Sequence, residues 1–362
     1  MNKNMKSSPQ HRFISGLLTA VLIAITSVGC NSKSLSGGDY SGPANNNGTA
    51  TFDDGSSGAV NGVTTHAALF QENSETGRPF WKVAGVDYAI GIASSVVLKD
   101  ASTAALPTGA TLDLAARLIR ITANDVALDG YDFSNGAGLD GISIGAVSGT
   151  RITNCKFVGG VPVRSDVGSS HSYFGYNDVD GGGGAGNTAV GALLSFRGSV
   201  SVEYNWIRNA PRATLLLDGG GTLLYRNNVL EDAGFAPATD GSFLKLLGGN
   251  FVKAKIAFNT VIQHAGVAGG ELLQMHLNAS GDLLDSEVSY NSVLSLGDGA
   301  HRSSALIFHM GADSQYPWSV TGWAHDNYVD ASGAGGIAPT GMSGFVYTRN
   351  IDLKTGAALV TP

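Results

Sequence analysis

Cysteine is nearly missing from this chain: there are 2 in 362 residues, Cys30 and Cys155. Cys30 closes an apolar N-terminal stretch, so Cys155 stands alone beyond it, which excludes an internal disulfide and a cysteine-based metal cluster. Charge is thin as well. Only 14% of the residues are Asp, Glu, Lys or Arg, and there are 10 prolines against 51 glycines. Long surface helices are not expected, because glycine weakens them and the acid–base pairs that decorate them are scarce. Basic excess is lacking too. The net charge is −7 even with Lys3, Lys6 and Arg12 counted, which argues against a nucleic-acid partner. A phosphate-binding loop is also absent, since DGGGGAGN (180–187) has no Lys-Ser/Thr and leads into no helical pattern.

Residues 1–30 read as an export leader. A basic start precedes FISGLLTAVLIAITSVGC, which is too short and too near the end for a membrane span. SVGC resembles a bacterial lipoprotein box, with Ser27 where Leu is usual. That resemblance implies lipidation of Cys30 and a membrane partner through the anchor. Asn31 after the cysteine is compatible with outer-membrane sorting. The expected location is an outer-membrane or cell-surface lipoprotein, otherwise a periplasmic or secreted protein. Residues 31–76 are rich in Gly, Ser and Asn without hydrophobic period, as in a flexible tether. Residues 77–362 show no composition break and read as one domain.

Within that domain one phrase recurs, apolar-x-x-Asn-x-apolar. It fits FGYNDV at Asn177, VEYNWI at Asn205, LYRNNV at Asn227, IAFNTV at Asn259 and VSYNSV at Asn291. AHDNYV at Asn327 is a weaker copy, while Cys155 and Tyr131 take the slot in ITNCKF and LDGYDF. Between the copies lie short strand signals bounded by glycine: ALLSFRG, TLLLDGG, FLKLLGG, ELLQMHL and ALIFHMG. No such unit can bury its apolar face alone. Stacked units would share a continuous core and bring the asparagines over one another. HSYFGY is expected to place both Phe174 and Tyr176 in that core.

These Asn-x-Val/Ile coils, together with ITANDVALDGYDF (121–133), resemble the right-handed parallel β-helix of the pectate-lyase-like superfamily over about residues 80–352. The resemblance implies an all-β solenoid, with PFWKVAGVDYAIGI (79–92) as an N-terminal cap over the first coil. It implies polysaccharide as partner, and calcium only because pectate lyases of this fold use it. Their catalytic signatures do not transfer intact. Arg208-Asn-Ala-Pro-Arg212 has the wrong spacing for the RxPxxR motif, and the polygalacturonase motifs are missing. The chondroitinase and alginate lyase branch pairs a strand Lys with a following Arg, yet no Arg lies between Arg226 and Arg302. A β-sandwich would instead need hairpin turns such as Asn-Gly, which are sparse.

Alternation along each strand sorts the residues into inward and outward columns. Leu194/Phe196, Leu215/Leu217, Leu244/Leu246, Leu273/Met275 and Leu306/Phe308 are expected inside. Outside run Ser195–Leu216–Lys245–Gln274–Ile307 and Arg197–Asp218–Leu247–His276–His309, a polar strip suited to an extended polymer. Lys245 or His276 could act as base, Arg197 could stabilise an enolate, and His309 could stand near the leaving group. Asp218 could orient a His. Gln274, Arg208, Arg212, Asp240 and Glu271 are the substrate-binding candidates, and His301 and Arg302 a possible roof. The expectation is an exported carbohydrate-active β-helix acting on extracellular polysaccharide by β-elimination of a uronate-containing glycan. Two alternatives stay open. One is a hydrolase using Asp218 with Asp240 or Glu271; the other is a non-catalytic glycan-binding or matrix protein, for which Trp206, Tyr316, Trp318 and Trp323 are candidate stacking residues.

Overall fold

The structure is a computed structural model and describes residues 61–62, 79–134, 138–159, 163–182, 192–234, 241–264, 271–275, 280–295, 306–309, 318–331 and 344–359. Cys30, Asp240, His276, His301, Arg302 and Tyr316 lie outside the described residues, as does the leader.

Each coil of chain visits three sheets in turn. In one coil, Ala192–Arg197 contributes to a nine-stranded sheet, Val200–Glu203 to a second nine-stranded sheet, and Trp206–Ala210 to a ten-stranded sheet. The next coil repeats this with Ala213–Asp218, Gly221–Arg226 and Val229–Ala233, each paired parallel to its predecessor. The fold is a parallel β-helix. The sheet containing Ala192–Arg197 is called the site sheet below, and the one containing Val200–Glu203 the third sheet. The site sheet begins with an antiparallel hairpin, Ala110–Asp113 against Leu118–Ile121. Glycine makes the corner between the site sheet and the third sheet. A Cβ on Gly198 (φ 76°) would lie 2.4 Å from Ser169 O, and one on Gly220 (φ 81°) 2.3 Å from Asn250 O. No side chain fits there.

A left-handed residue followed by a buried asparagine turns the third sheet into the ten-stranded one. Asn154, Tyr176, Tyr204, Asn227, Phe258, Tyr290, Asp326 and Arg349 all have φ between 52 and 58°. Bulky residues avoid that region, at roughly 1–2 kcal/mol each. The residue after each one holds it there. Asn177, Asn205, Asn228, Asn259, Asn291, Asn327 and Asn350 form a continuous amide ladder. The Asn259 backbone N–H and Nδ2 both donate to Asn291 Oδ1 at 3.0 Å, and Nδ2 also donates to Tyr225 O at 2.9 Å. Asn205, Asn228, Asn291 and Asn327 repeat this pattern. Cys155 takes the slot below Asn177, with its N–H on Asn177 Oδ1 at 2.9 Å. Burial pushes its thiol up to about 12, so it stays protonated and faces Leu128 O.

Three expectations about this turn need correction. The ladder member in LYRNNV is Asn228; Asn227 takes the strained position before it and accepts from Tyr88 Oη at 2.8 Å. Asn327 is a full member, and Asn350 extends the ladder although Asp352 stands where an apolar residue was required. Phe174 is core, but Tyr176 is 39% exposed and stacks outside on Tyr204 with ring centres 4.9 Å apart. A tyrosine with left-handed φ must project away from the interior.

Segment 79–92 does not cap the first coil. It runs lengthwise along the outer face of the ten-stranded sheet, from late coils towards earlier ones. Trp81 meets Tyr328 and Tyr290 edge-on at 5.1 and 5.6 Å, Ala84 O accepts from Thr260 Oγ1 at 2.8 Å, and Gly91 N–H reaches Tyr204 O at 2.8 Å. Val83, Ala84 and Ile90 thereby bury Val229, Ile262, Leu294 and Leu353 in a second apolar cluster, separate from the interior one. Strands such as Thr260–Gln263 are therefore buried on both faces. Asn61–Gly62, within the expected free tether, pairs antiparallel with Gly91–Ile92.

Replacing Asn259 with Ala would strand the Asn228 amide, its backbone N–H and Tyr225 O. The expected cost is about 3–5 kcal/mol. Asn350→Ala strands the equivalent groups, the Asn327 amide, its backbone N–H and Ala324 O, but leaves no further amide oxygen short of donors as Asn259→Ala leaves Asn291 Oδ1, so its expected cost is about 1 kcal/mol smaller. Urea unfolding of the two variants measures the difference, and equal losses would contradict a ladder that carries stability along its length. Trp81→Ala should cost about 2–3 kcal/mol and speed amide exchange at Gly91, because the strap releases as one unit.

Candidate functional site

The outer face of the site sheet carries most of the predicted strip. Leu215, Leu244 and Leu273 are in register below Ile307, and all are core. Leu193, Phe243, Leu272 and Leu306 join them, so two consecutive positions face inward at the start of each strand. This moves the last strand by one residue from the expected alignment. Ile307 belongs to the inner column, Phe308 pairs with Gln274, and His309 pairs with Met275 rather than lying beside His276. The strip as read thus loses Ile307 from its outward columns, and His309 stands at the register position of Met275.

Four polar side chains remain on that outer face in two adjacent coils: Ser242 and Lys245 on one strand, Glu271 and Gln274 on the next. Their exposures are 0, 6, 4 and 2%. Ser242 Oγ donates to Gln274 Oε1 at 3.1 Å. An outward position on a solenoid is normally wet, so burial of four polar groups together marks a constructed feature. On the two preceding strands, Arg197 and Asp218 sit in register and pair at 3.4 Å, both about two-fifths exposed. Hydroxyls of the preceding coil pin the Arg197 backbone: its N–H donates to Ser165 Oγ at 2.8 Å, and its carbonyl accepts from Ser169 Oγ at 3.0 Å. Asp218 thus pairs with Arg197; His276, the histidine of the same expected column, lies outside the described residues.

Arg208 is not part of this face. It lies in the ten-stranded sheet, where its guanidinium pairs with Asp178 and Asp180 and covers the Trp206 ring at 3.6 Å. Those contacts make Arg208 a clamp between successive coils of the ten-stranded sheet. Arg212 stands in the corner before Ala213–Asp218, with its Nε buried and unpartnered. Calcium does not fit the residues seen. Among the described residues, no group of three or more His, Cys, Asp or Glu could hold a metal, and Arg208 already engages Asp178 and Asp180.

The sequence reading missed two histidines. His264, just past Thr260–Gln263, places Nδ1 3.0 and 2.9 Å from the two Asp232 oxygens, and its backbone N–H donates to the same carboxylate at 2.7 Å. Asp232 raises the imidazole above its ordinary range, with Glu231 adding to the effect. On the third sheet, Lys255 Nζ lies 3.0 Å from Glu287 Oε2, and His325 Nε2 lies 3.6 Å from Glu287 Oε1. His325 Nδ1 is 2.6 Å from Asp326 Oδ2. Hydrogen bonding from His325, then from Ser289 and Lys255, holds the Glu287 carboxyl down to about 2, and the same contact raises His325. Counting from the ladder asparagines puts Asp232 four residues past Asn228 and His264 five past Asn259, one position apart on successive coils, a signal that the inward and outward columns of the other strands did not include.

These shifts set a pH window. The His325 contribution is full below the ordinary histidine range and fades as pH rises through its raised value. The Glu287 contribution is full above about pH 4.5 and is lost as pH falls towards about 2. His325→Gln should therefore cost about 1 kcal/mol near pH 5.5, roughly 2–4 °C in Tm, and almost nothing at pH 9. Thermal melts at the two pH values check this; a loss independent of pH would assign His325 to packing instead.

Comparison with protein-family models, curated proteins and solved structures finds no match to this chain.

Proposed function

We propose that this protein is an exported, pectate-lyase-like β-helix that acts on an acidic extracellular polysaccharide by β-elimination. The observation that carries the reading is the buried polar group Ser242, Lys245, Glu271 and Gln274 on the outer face of one sheet. A polymer lying across the coils passes from Gln274 and Lys245 over Leu216 to the Arg197–Asp218 pair, whose strands lie two and one spacings, roughly 10 and 5 Å, beyond that of Lys245. A chain of linked sugars is of that scale. Fold alone does not supply an activity, so the reading stands on these side chains.

In this scheme the Lys245 amine removes the proton alpha to a uronate carboxylate. The freed pair forms a carbon–carbon double bond as the glycosidic oxygen leaves. Gln274 hydrogen-bonds the same carboxylate, and Arg197 engages that of a sugar further along. Hydrolysis finds less support, because Asp218 is neutralised by Arg197 and is too distant in register from Glu271 to act with it. One observation favours the non-catalytic alternative: Trp323, on the third sheet, is 57% exposed and offers a flat ring to a sugar.

Incubating the protein with a panel of uronate-containing polysaccharides and following ultraviolet absorbance of the unsaturated product tests the proposal. Cleavage is expected, and Lys245→Ala should slow it by about 100-fold or more. Unchanged cleavage by the variant rejects Lys245 as base. Binding without cleavage rejects the lyase, and its loss in Trp323→Ala would place the glycan on the third sheet.

A further inference from the structure

We propose that the outer face of the third sheet is a second glycan-binding site, centred on Trp323 and Glu287, that takes neutral sugars rather than uronates; it does not rest on the lyase reading above. Four parallel strands build it: Gly249–Ala257, Gly281–Ser289, Trp318–His325 and Phe345–Thr348. Register sets Lys255, Glu287, Trp323 and Val346 in one row across them. The row faces outward, because the chain neighbours Ala254, Ile256, Val288, Ala324 and Phe345 are core. With strands about 4.8 Å apart, Trp323 has Glu287 beside it on one side and Val346 on the other.

The apolar half of the site is the ring. Trp81, Trp206 and Trp318 each pack against one of the two apolar clusters. Trp323 does not; it is 57% exposed and its row neighbour Val346 51%. Such a patch on one sheet face suits a ligand that is flat, apolar on its ring face and hydroxylated at its edge. A neutral pyranose has that shape.

The polar half is Glu287, and it is fixed before any ligand arrives. Its Oε1 accepts from Ser289 Oγ at 2.7 Å and lies 3.6 Å from His325 Nε2, while Oε2 lies 3.0 Å from Lys255 Nζ. Three of its roughly four acceptor positions are thus filled, and the one left on Oε2 can take a sugar hydroxyl. Hydrogen bonding, from His325 first, holds this carboxyl down to about 2, so it is an acceptor throughout the neutral range. A carboxylate anchored in this way loses little side-chain freedom on binding.

Charge selects against a uronate. The four strands carry three carboxylates, Asp282, Asp285 and Glu287, against two lysines, Lys253 and Lys255. Lys255 is engaged by Glu287, His325 stands between Glu287 and Asp326, and Arg349 donates twice to Asp326. A second carboxylate beside Trp323 would meet Glu287 first and be repelled, whereas a hydroxyl finds an acceptor there.

Affinity electrophoresis of the intact protein tests this, in gels containing hydroxyethylcellulose, xyloglucan or galactomannan, beside gels containing polygalacturonate. At least one neutral polymer should retard the protein. Trp323→Ala should lower that affinity by about tenfold or more, and Trp323→Phe should recover part of it. Glu287→Gln should weaken it about fivefold. Val167→Ala, which trims an exposed apolar side chain elsewhere, should leave it unchanged. Trp323→Ala should melt within about 2 °C of the unaltered protein, since the ring is exposed. Absence of retardation by every neutral polymer, or retardation that survives Trp323→Ala, overturns the site. Retardation by polygalacturonate alone, lost in Trp323→Ala, overturns the neutral-sugar assignment. Sedimentation velocity supplies the remaining outcome: a dimer that dissociates in Trp323→Ala gives this face to a second copy of the chain and overturns the proposal. Cleavage of uronate polymers is read separately, so failure of the lyase leaves this test intact.

Discussion

The amide-to-amide contact between successive asparagines is the constraint on which the rest of the molecule depends. Between the two ends of the ladder, each Oδ1 takes two donors from the coil before, and each Nδ2 gives one bond forward and one back to a strand carbonyl. The amide can do this only if coils superpose within hydrogen-bonding tolerance. Register in all three sheets follows, because one ladder position per coil fixes where every neighbouring residue falls. The eight left-handed residues preceding the ladder slots are tolerated for the same reason: rings such as Tyr176 and Tyr204, or Phe258 and Tyr290, regain contact by stacking outside. The core obeys the same alignment, with Phe133, Phe157, Phe174 and Phe196 forming a file of aromatic contacts through successive coils.

Much of this was legible from the chain. Asn177, Asn205, Asn259 and Asn291 name the turn, and the strands Ala192–Arg197 to Glu271–Met275 align as their apolar spacing demands. What failed did so for local physical reasons. In LYRNNV two asparagines compete, and the apolar template chose Asn227 because it could not see which residue carries positive φ. The shift at Ile307 arises because two adjacent apolar residues both enter the core where each strand begins, which breaks simple alternation. PFWKVAGVDYAIGI was readable as a cover, but not as a cover of the side wall. Consecutive apolar pairs such as Val261-Ile262 and Val293-Leu294 were the overlooked sign that the ten-stranded sheet is sandwiched.

The site was less legible than the fold. Lys245 and Gln274 were found by column arithmetic, and their burial was not foreseeable from an outward position. Arg208 misled because pairs such as Arg208 with Asp178 and Asp180 form between coils, 30 and 28 residues apart in sequence. His264 and Asp232 are separated by 32 residues. In a solenoid the partners of a charged group sit one turn away, so neighbours along the chain are poor guides.

The strap has a consequence for how the molecule comes to exist. A stack of coils held only by nearest neighbours can assemble from any point and fray from either end. Segment 79–92 joins Tyr204, Asn227, Thr260, Tyr290 and Tyr328, partners lying far later in the chain. During synthesis those residues are still unmade when the segment emerges, so it must wait while the wall is laid down and then close over it. Ripening is thus a final, long-range event, and a truncated chain ending short of the later turns would keep its seam open.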